Sequence, residues 1–259
     1  MRTIAIVNLK GGVGKTIAAI NISTILATEH GQRVLLIDAD GQGNATKNLL
    51  PAEEYTGLSA LLQGEVICYD EVIVPSSIRN LDVIPADSAL WRLDLAEITG
   101  ERLCLSALRD LRDNVSEDDA YDIILIDCPP SFSAACRAAL MASGSIIIPV
   151  LPDAFSAAGM EELIEQMDGV LTIQPNMHIS GILINQWHNA DVVHGAVEYL
   201  RETAPVPVFE TLIRRTDKVL ESTWACQPLQ VWSPRSSAAQ DYRKFVQEFV
   251  RKEGIIRGQ

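Results

Sequence analysis

Apolar residues in this chain gather in short, near-continuous runs rather than in strict alternation, at 3–7, 33–37, 122–126, 145–150 and 179–185, with a further strand expected at 81–85 around Asp82. Runs of that length with no polar partner face are what strands covered on both sides look like. Between them the period changes. Residues 17–27, 56–64 and 92–112 (broken near Gly100) repeat apolar positions at three and four, as helices do. Met160, Leu163, Ile164, Met167 and Leu171 mark a further helix from about 154 to 171. Gly31 is placed to cap the first helix. Ser236 is placed to open a last one, whose Tyr242, Phe245, Val246, Phe249 and Val250 share a face. Strands alternating with helices predict an α/β fold with right-handed crossovers: a mostly parallel, twisted sheet with helices on both faces.

Composition narrows this only a little. With 47% apolar and 21% charged residues and no Pro/Gly/Ser-rich linker, the 259 residues are expected to form a single domain, 1–259. No apolar run reaches the ~18 residues of a membrane span, and the chain opens on a strand rather than a leader, so a cytoplasmic protein is expected. Five cysteines without a C-x-x-C pair suit free thiols in a reducing compartment, and Cys128 next to Pro129 and Pro130 is a poor cluster ligand. His178, His188 and His194 show no metal-ligand spacing and are expected on exposed loops. Charge changes the picture more. Residues 1–200 carry 11 lysines and arginines against 27 acids, residues 201–259 carry 10 against 7, so any polyanion site is expected near the C-terminus.

The chemistry sits where strands end. Lys10-Gly11-Gly12-Val13-Gly14-Lys15-Thr16 joins the first strand to the first helix, the context of a phosphate loop. Glycines let backbone N–H groups approach an anion and the helix N-terminus adds positive potential. Residues Gly11 to Ile17 are then phosphate-binding, Lys15 holds the terminal phosphates and Thr16 offers its hydroxyl to Mg²⁺. The second strand ends in Asp38-Ala39-Asp40-Gly41-Gln42-Gly43-Asn44-Ala45-Thr46. Its two carboxylates are two residues apart and so share a face where the strand ends, one expected at Mg²⁺ and one at the γ-phosphate. A third acid, Asp127, ends the run 122–126 at the same edge, before Pro129 and Pro130 stop the strand. Asn185 closes the last strand at the same edge, as a functional or a turn-forming residue.

A lysine ahead of Gly-Gly-x-Gly-Lys-Thr resembles the deviant phosphate loop of the ParA/MinD superfamily, and residues 38–46 and 127–131 resemble its two switch segments. The resemblance implies a P-loop NTPase fold binding ATP and Mg²⁺. It implies that Lys10 reaches a partner's nucleotide across a homodimer, that Lys10, Lys15 and Asp40 serve hydrolysis with Asp40 organising the attacking water, and that Thr16, Asp38 and Asp127 serve the metal. Asn185 would read adenine. Gly41 departs from the pattern, which has proline there. Residues 209–221 resemble the segment that carries DNA contacts, here Arg214, Arg215 and Lys218; Arg243, Lys244, Arg251 and Lys252 are the other basic group. A ParA-like partition ATPase would bind DNA non-specifically as its ATP dimer, associate with the nucleoid, and be released by a ParB-like centromere-binding protein. The alternative is a MinD-like ATPase, with the apolar face of the last helix lying on a membrane; no stable membrane association is expected here.

Overall fold

A computed structural model describes residues 1–66, 68–93, 104–114, 121–153, 164–165, 169–172 and 174–255. Among the described residues seven strands form one sheet: β1 (Arg2–Ile6), β2 (Val34–Asp38), β3 (Val74–Pro75), β4 (Leu81–Ile84), β5 (Ile123–Asp127), β6 (Ser145–Val150) and β7 (His178–Ile184), in the order β3-β4-β2-β5-β1-β6-β7. Every pairing is parallel except the β3/β4 edge. The helices in chain order are α1 (Lys15–Thr28), α2 (Asn44–Leu49), α3 (Leu58–Gln63), α4 (Ala107–Asn114), α5 (Ala134–Ala142), α6 (Asp191–Thr203), α7 (Asp217–Trp224), α8 (Leu229–Trp232) and α9 (Ser237–Glu253).

The continuous apolar runs are explained by burial on both faces. All residues of β2, β5 and β6 are buried, and the period of two sorts them between two cores. Ala5, Leu35, Ile37, Ile124, Ile126, Ile146 and Ile148 face α4 and α5. Ile4, Ile6, Val34, Leu36, Ile123, Leu125 and Ile147 face α1 and α9. Helix α1 lies between sheet and α9 and is apolar nearly all round; the hydroxyls it buries bond within it, Thr24 Oγ1 and Ser23 Oγ both donating to the Ile20 carbonyl at 2.7 and 3.0 Å.

Several boundaries differ from expectation. Helix α1 ends at Thr28 and its C-cap is Glu29, whose N–H bonds the Ile25 carbonyl, while Gly31 (φ 66°) belongs to the turn beyond it. In the stretch expected as helix 92–112, a 3-10 turn spans Ser88–Arg92 and a helix Ala107–Asn114; Gly100 lies outside the described residues. So does most of the helix expected over 154–171, of which 164–165 and 169–171 are described and helical. The last helix opens as expected, Ser236 Oγ accepting from Ala239 N at 3.4 Å.

Candidate functional site

Strand β1 is flanked by β5 and β6. The chain leaves it towards β2 on one side and later passes it to reach β6 on the other. That reversal opens a crevice at the carboxyl ends of the strands, where α/β sheets bind ligands. A cavity of about 700 Å³, lined by Arg33, Tyr69, Asp70, Asp82 and Tyr121, lies at the opposite ends of the strands, away from every candidate residue.

Residues 8–14 cross the crevice as a loop pinned at three points. Buried Asn8 donates from Nδ2 to the Pro149 carbonyl (2.7 Å), and its Oδ1 accepts from Lys10 N (2.9 Å). Asn185 Nδ2 donates to the Val13 carbonyl (3.0 Å), and Gln186 Nε2 to that of Gly12 (3.2 Å). Gly12 (φ 76°) and Gly14 (φ 91°) have the left-handed backbone that glycine tolerates, and a Cβ on Gly14 would collide with the Asn185 amide. Gly11 and Gly12 are exposed, Val13 is buried, and Thr16 and Ile17 begin α1 half-buried. Asn185 is therefore a loop clamp through one end of its amide, while its Oδ1 accepts from Gln186 N (2.9 Å). Beside it a cleft of about 300 Å³ runs between Gly14, Ile17, Gln186, Thr216, Leu220 and Tyr242.

Lys15 is buried and folds back over the loop, Nζ donating to the Lys10 carbonyl at 3.1 Å. Burial lowers its pKa, with the Asp127 carboxylate opposing. An ammonium held dry against one backbone carbonyl is poised to exchange it for phosphate oxygens. Lys10, at the loop's start, pairs with Asp153 at 2.8 Å.

The acids come together because β2 and β5 are in register, Asp38 opposite Asp127. Both are fully buried. Asp38 Oδ2 accepts from Thr46 N and Thr46 Oγ1, each at 2.8 Å, and Oδ1 from Asp40 N at 3.3 Å. Burial still pushes its carboxyl up to about 6. Asp38 thus holds the segment 40–46 closed onto the strand ends, a role the sequence did not suggest. Asp127 is also raised well above the usual carboxylate range, by burial and then by the charge of Asp38, with Thr16 and Lys15 pulling the other way. Neither of its oxygens has a hydrogen-bond partner of good geometry. A buried, unsatisfied carboxylate beside a threonine hydroxyl is what Mg²⁺ completes, since that ion takes one or two carboxylates and leaves its other positions to water and phosphate. Among the described residues no group of three His, Cys, Asp or Glu is arranged to hold a metal unaided. Asp40 is half-buried at the mouth, its Oδ1 accepting from Gln42 N at 3.0 Å. Cys128 is buried, its thiol raised by a hydrogen bond to Cys136 and then by burial. His178, His188 and His194 are exposed, but only His188 lies on a loop as expected: His178 opens β7 and bonds Glu253, and His194 lies in α6 and bonds Asn189.

The basic strip is only partly free. Arg214 donates from Nε and Nη2 to buried Asp241 (2.8 and 2.7 Å) and so ties the loop after β7 to α9. The pair engages its Nε and Nη2 while the side chain stays 41% exposed. Lys218 pairs with Glu221 on the surface of α7 (2.8 Å). Arg215 is exposed with no side-chain partner among the described residues. The face of α9 that the membrane reading needs is inside the protein, where Phe245 and Phe249 pack with Phe209, the Phe209–Phe245 centroids 4.9 Å apart. No helix among the described residues is long and apolar enough to cross a membrane.

A family profile described as an AAA domain matches residues 1–179. Over 253 residues the chain is 32% identical to a ParA family protein of Chlamydia trachomatis, covering 96% of this chain and 98% of that one. It is 31% identical over 257 residues to the chromosome partitioning protein ParA of Caulobacter vibrioides, covering 98% and 95%. Among solved structures, cobyrinic acid a,c-diamide synthase of Mycobacterium smegmatis with bound ADP and magnesium superposes with a TM-score of 0.82 at 24% identity, covering 98% and 96%. The septum site-determining protein MinD of Pyrococcus horikoshii complexed with Mg-ADP gives 0.77 at 23%, covering 98% of each. Neighbours of such different activity share the fold alone.

Proposed function

The chain belongs to the ParA family, and from that premise we propose that it is a partition ATPase, one domain over residues 1–259, whose ATP-bound homodimer holds DNA without sequence preference. The observation that carries the reading is the clamped loop. Lys15 is buried against the Lys10 carbonyl, with Asp127 unsatisfied beside Thr16, an ammonium and a carboxyl group both waiting for ligands in one crevice. The loop N–H groups and the α1 N-terminus bind the phosphates, and Lys15 takes the charge of the terminal ones. Mg²⁺, for which Asp127 and Thr16 fit and Asp38 lies adjacent, would neutralise phosphate charge during transfer. Asp40, held in its turn by Gln42 N and Gly43 N, orients the attacking water. The base lies in the cleft beside Ile17 and Asn185.

In the closed dimer Lys10 leaves Asp153 for the partner's phosphates, and the same charges then join the two subunits as well as promote transfer. DNA binds the ATP dimer through Arg215 and Lys218, and hydrolysis stimulated by a ParB-like centromere-binding protein releases it to the monomer, which keeps the chain nucleoid-associated in the cytoplasm. Burial of the α9 face supports this over a membrane-positioning role. The test is retention of the purified chain on DNA with ATP, with ADP and with ATP plus the product of the neighbouring gene. Retention that requires ATP and is shortened by the partner is expected. Equal retention with ADP, or sedimentation with anionic liposomes in ATP, would sink the proposal.

A further inference from the structure

The turn that presents Asp40 carries a glycine its backbone does not require. The Asp40 carbonyl accepts from Gly43 N at 2.8 Å and its carboxylate from Gln42 N, so residues 40–43 form a four-residue turn with Gly41 in the second position. Proline suits that position because its fixed φ matches the turn and stiffens it. Gly41 has no left-handed φ. What excludes a side chain there is Trp91. A Cβ on residue 41 would lie 2.6 Å from Trp91 Cδ1, 3.0 Å from Cε2 and closer still to Nε1. The indole arrives on the 3-10 turn Ser88–Arg92, whose start is held by Asp87, accepting from Ala89 N (2.8 Å) and Ser59 N (3.1 Å). Trp91 is nevertheless 60% exposed, so its own burial does not account for its place.

We propose that Trp91 is a positioning residue for the Asp40 turn: the indole laid over Gly41 gives the turn the stiffness a proline ring would otherwise give it. Glycine alone would leave Asp40 on the most flexible backbone available. With the indole as a cover, the turn keeps one geometry and Asp40 stays aimed at the crevice. This rests on the reading of Asp40 as the group that orients water.

Steady-state ATP hydrolysis by Trp91→Ala, Trp91→Phe, Gly41→Pro and the double variant Trp91→Ala/Gly41→Pro tests it. Trp91→Ala is expected to lower kcat roughly three- to tenfold, the scale of a modest misplacement, with KM for ATP unchanged. Trp91→Phe should retain most of the rate. The double variant should recover the loss, since proline then stiffens the turn in space the indole has left. In Gly41→Pro the Trp91 component of the fluorescence, taken as the difference from Trp91→Phe/Gly41→Pro, should shift to the red as the ring is expelled. A double variant no faster than Trp91→Ala, or one in which the two losses add, would overturn the positioning role. A wild-type chain that binds no ATP would overturn the functional reading itself, while the fluorescence shift would still report the Trp91–Gly41 contact.

Discussion

At the scale of the residue, the site is a set of buried charges whose burial is itself destabilising. Lys15 is the sole ammonium buried among the described residues, and its replacement by alanine should abolish ATP binding measured by calorimetry or nucleotide fluorescence. An unchanged affinity would show that the loop N–H groups suffice. Asp38 gives a pH signature in the nucleotide-free, metal-free protein. Its folded pKa of about 6 lies above the 3.8 of a free aspartate, so the folded state holds the proton more tightly. Stability from this group is present below about pH 4 and is lost as pH rises through about 6, by on the order of 2–3 kcal/mol. Asp38→Asn keeps an acceptor for Thr46 but cannot ionise. The difference in unfolding free energy between wild type and this variant should therefore change across that window; parallel curves would mean that Asp38 is ionised throughout.

At the scale of the element, α9 decides between two lives for one apolar face. Tyr242, Phe245, Val246 and Phe249 are fully buried, so Phe249→Ala should cost about 3–5 kcal/mol in denaturant unfolding. A cost under 1 kcal/mol would mean that the helix is detached in solution and free for a surface. Arg214 belongs with this helix. Arg214→Ala leaves Asp241 buried without its cation, and because the arginine side chain is 41% exposed the loss should be about 1–3 kcal/mol rather than that of a fully buried pair. DNA affinity should be unaffected once the variant is folded.

At the scale of the whole molecule, an acidic chain has to present cations locally. If the dimer offers Arg215 and Lys218 twice, ~4 phosphates are neutralised and log affinity should fall against log salt with a slope near about −3.6. Arg215→Ala with Lys218→Ala should flatten that slope and weaken binding to every sequence alike, because tethering of the second set is then worth little. A slope unchanged in gel-shift titrations would move the DNA site to Lys244 and Arg251 on α9. Lys10→Ala should keep ATP affinity yet remain monomeric by light scattering, since Lys10 is paired with Asp153 within its own chain and acts across the interface only on closure. An ATP-dependent dimer of that variant would refute the cross-subunit role.

The sequence by itself determined the parallel sheet, the phosphate loop, and the edge at which Asp38, Asp40 and Asp127 meet. Those features are local: unbroken apolar runs read as doubly covered strands, and a carboxylate ending such a run must emerge at the strand's carboxyl end. Tertiary structure alone decided the partners. Asn8 and Asn185 reach the loop's surroundings across more than a hundred residues of chain, and Asp38 closes on Thr46. Arg214 reads in sequence like its neighbour Arg215, and only the approach of Asp241 from α9 distinguishes them. The apolar stripe of α9 suits a membrane or a core equally, until Phe209 arrives to fill it. In each case periodicity states which side chains share a face, and long-range packing chooses what that face meets.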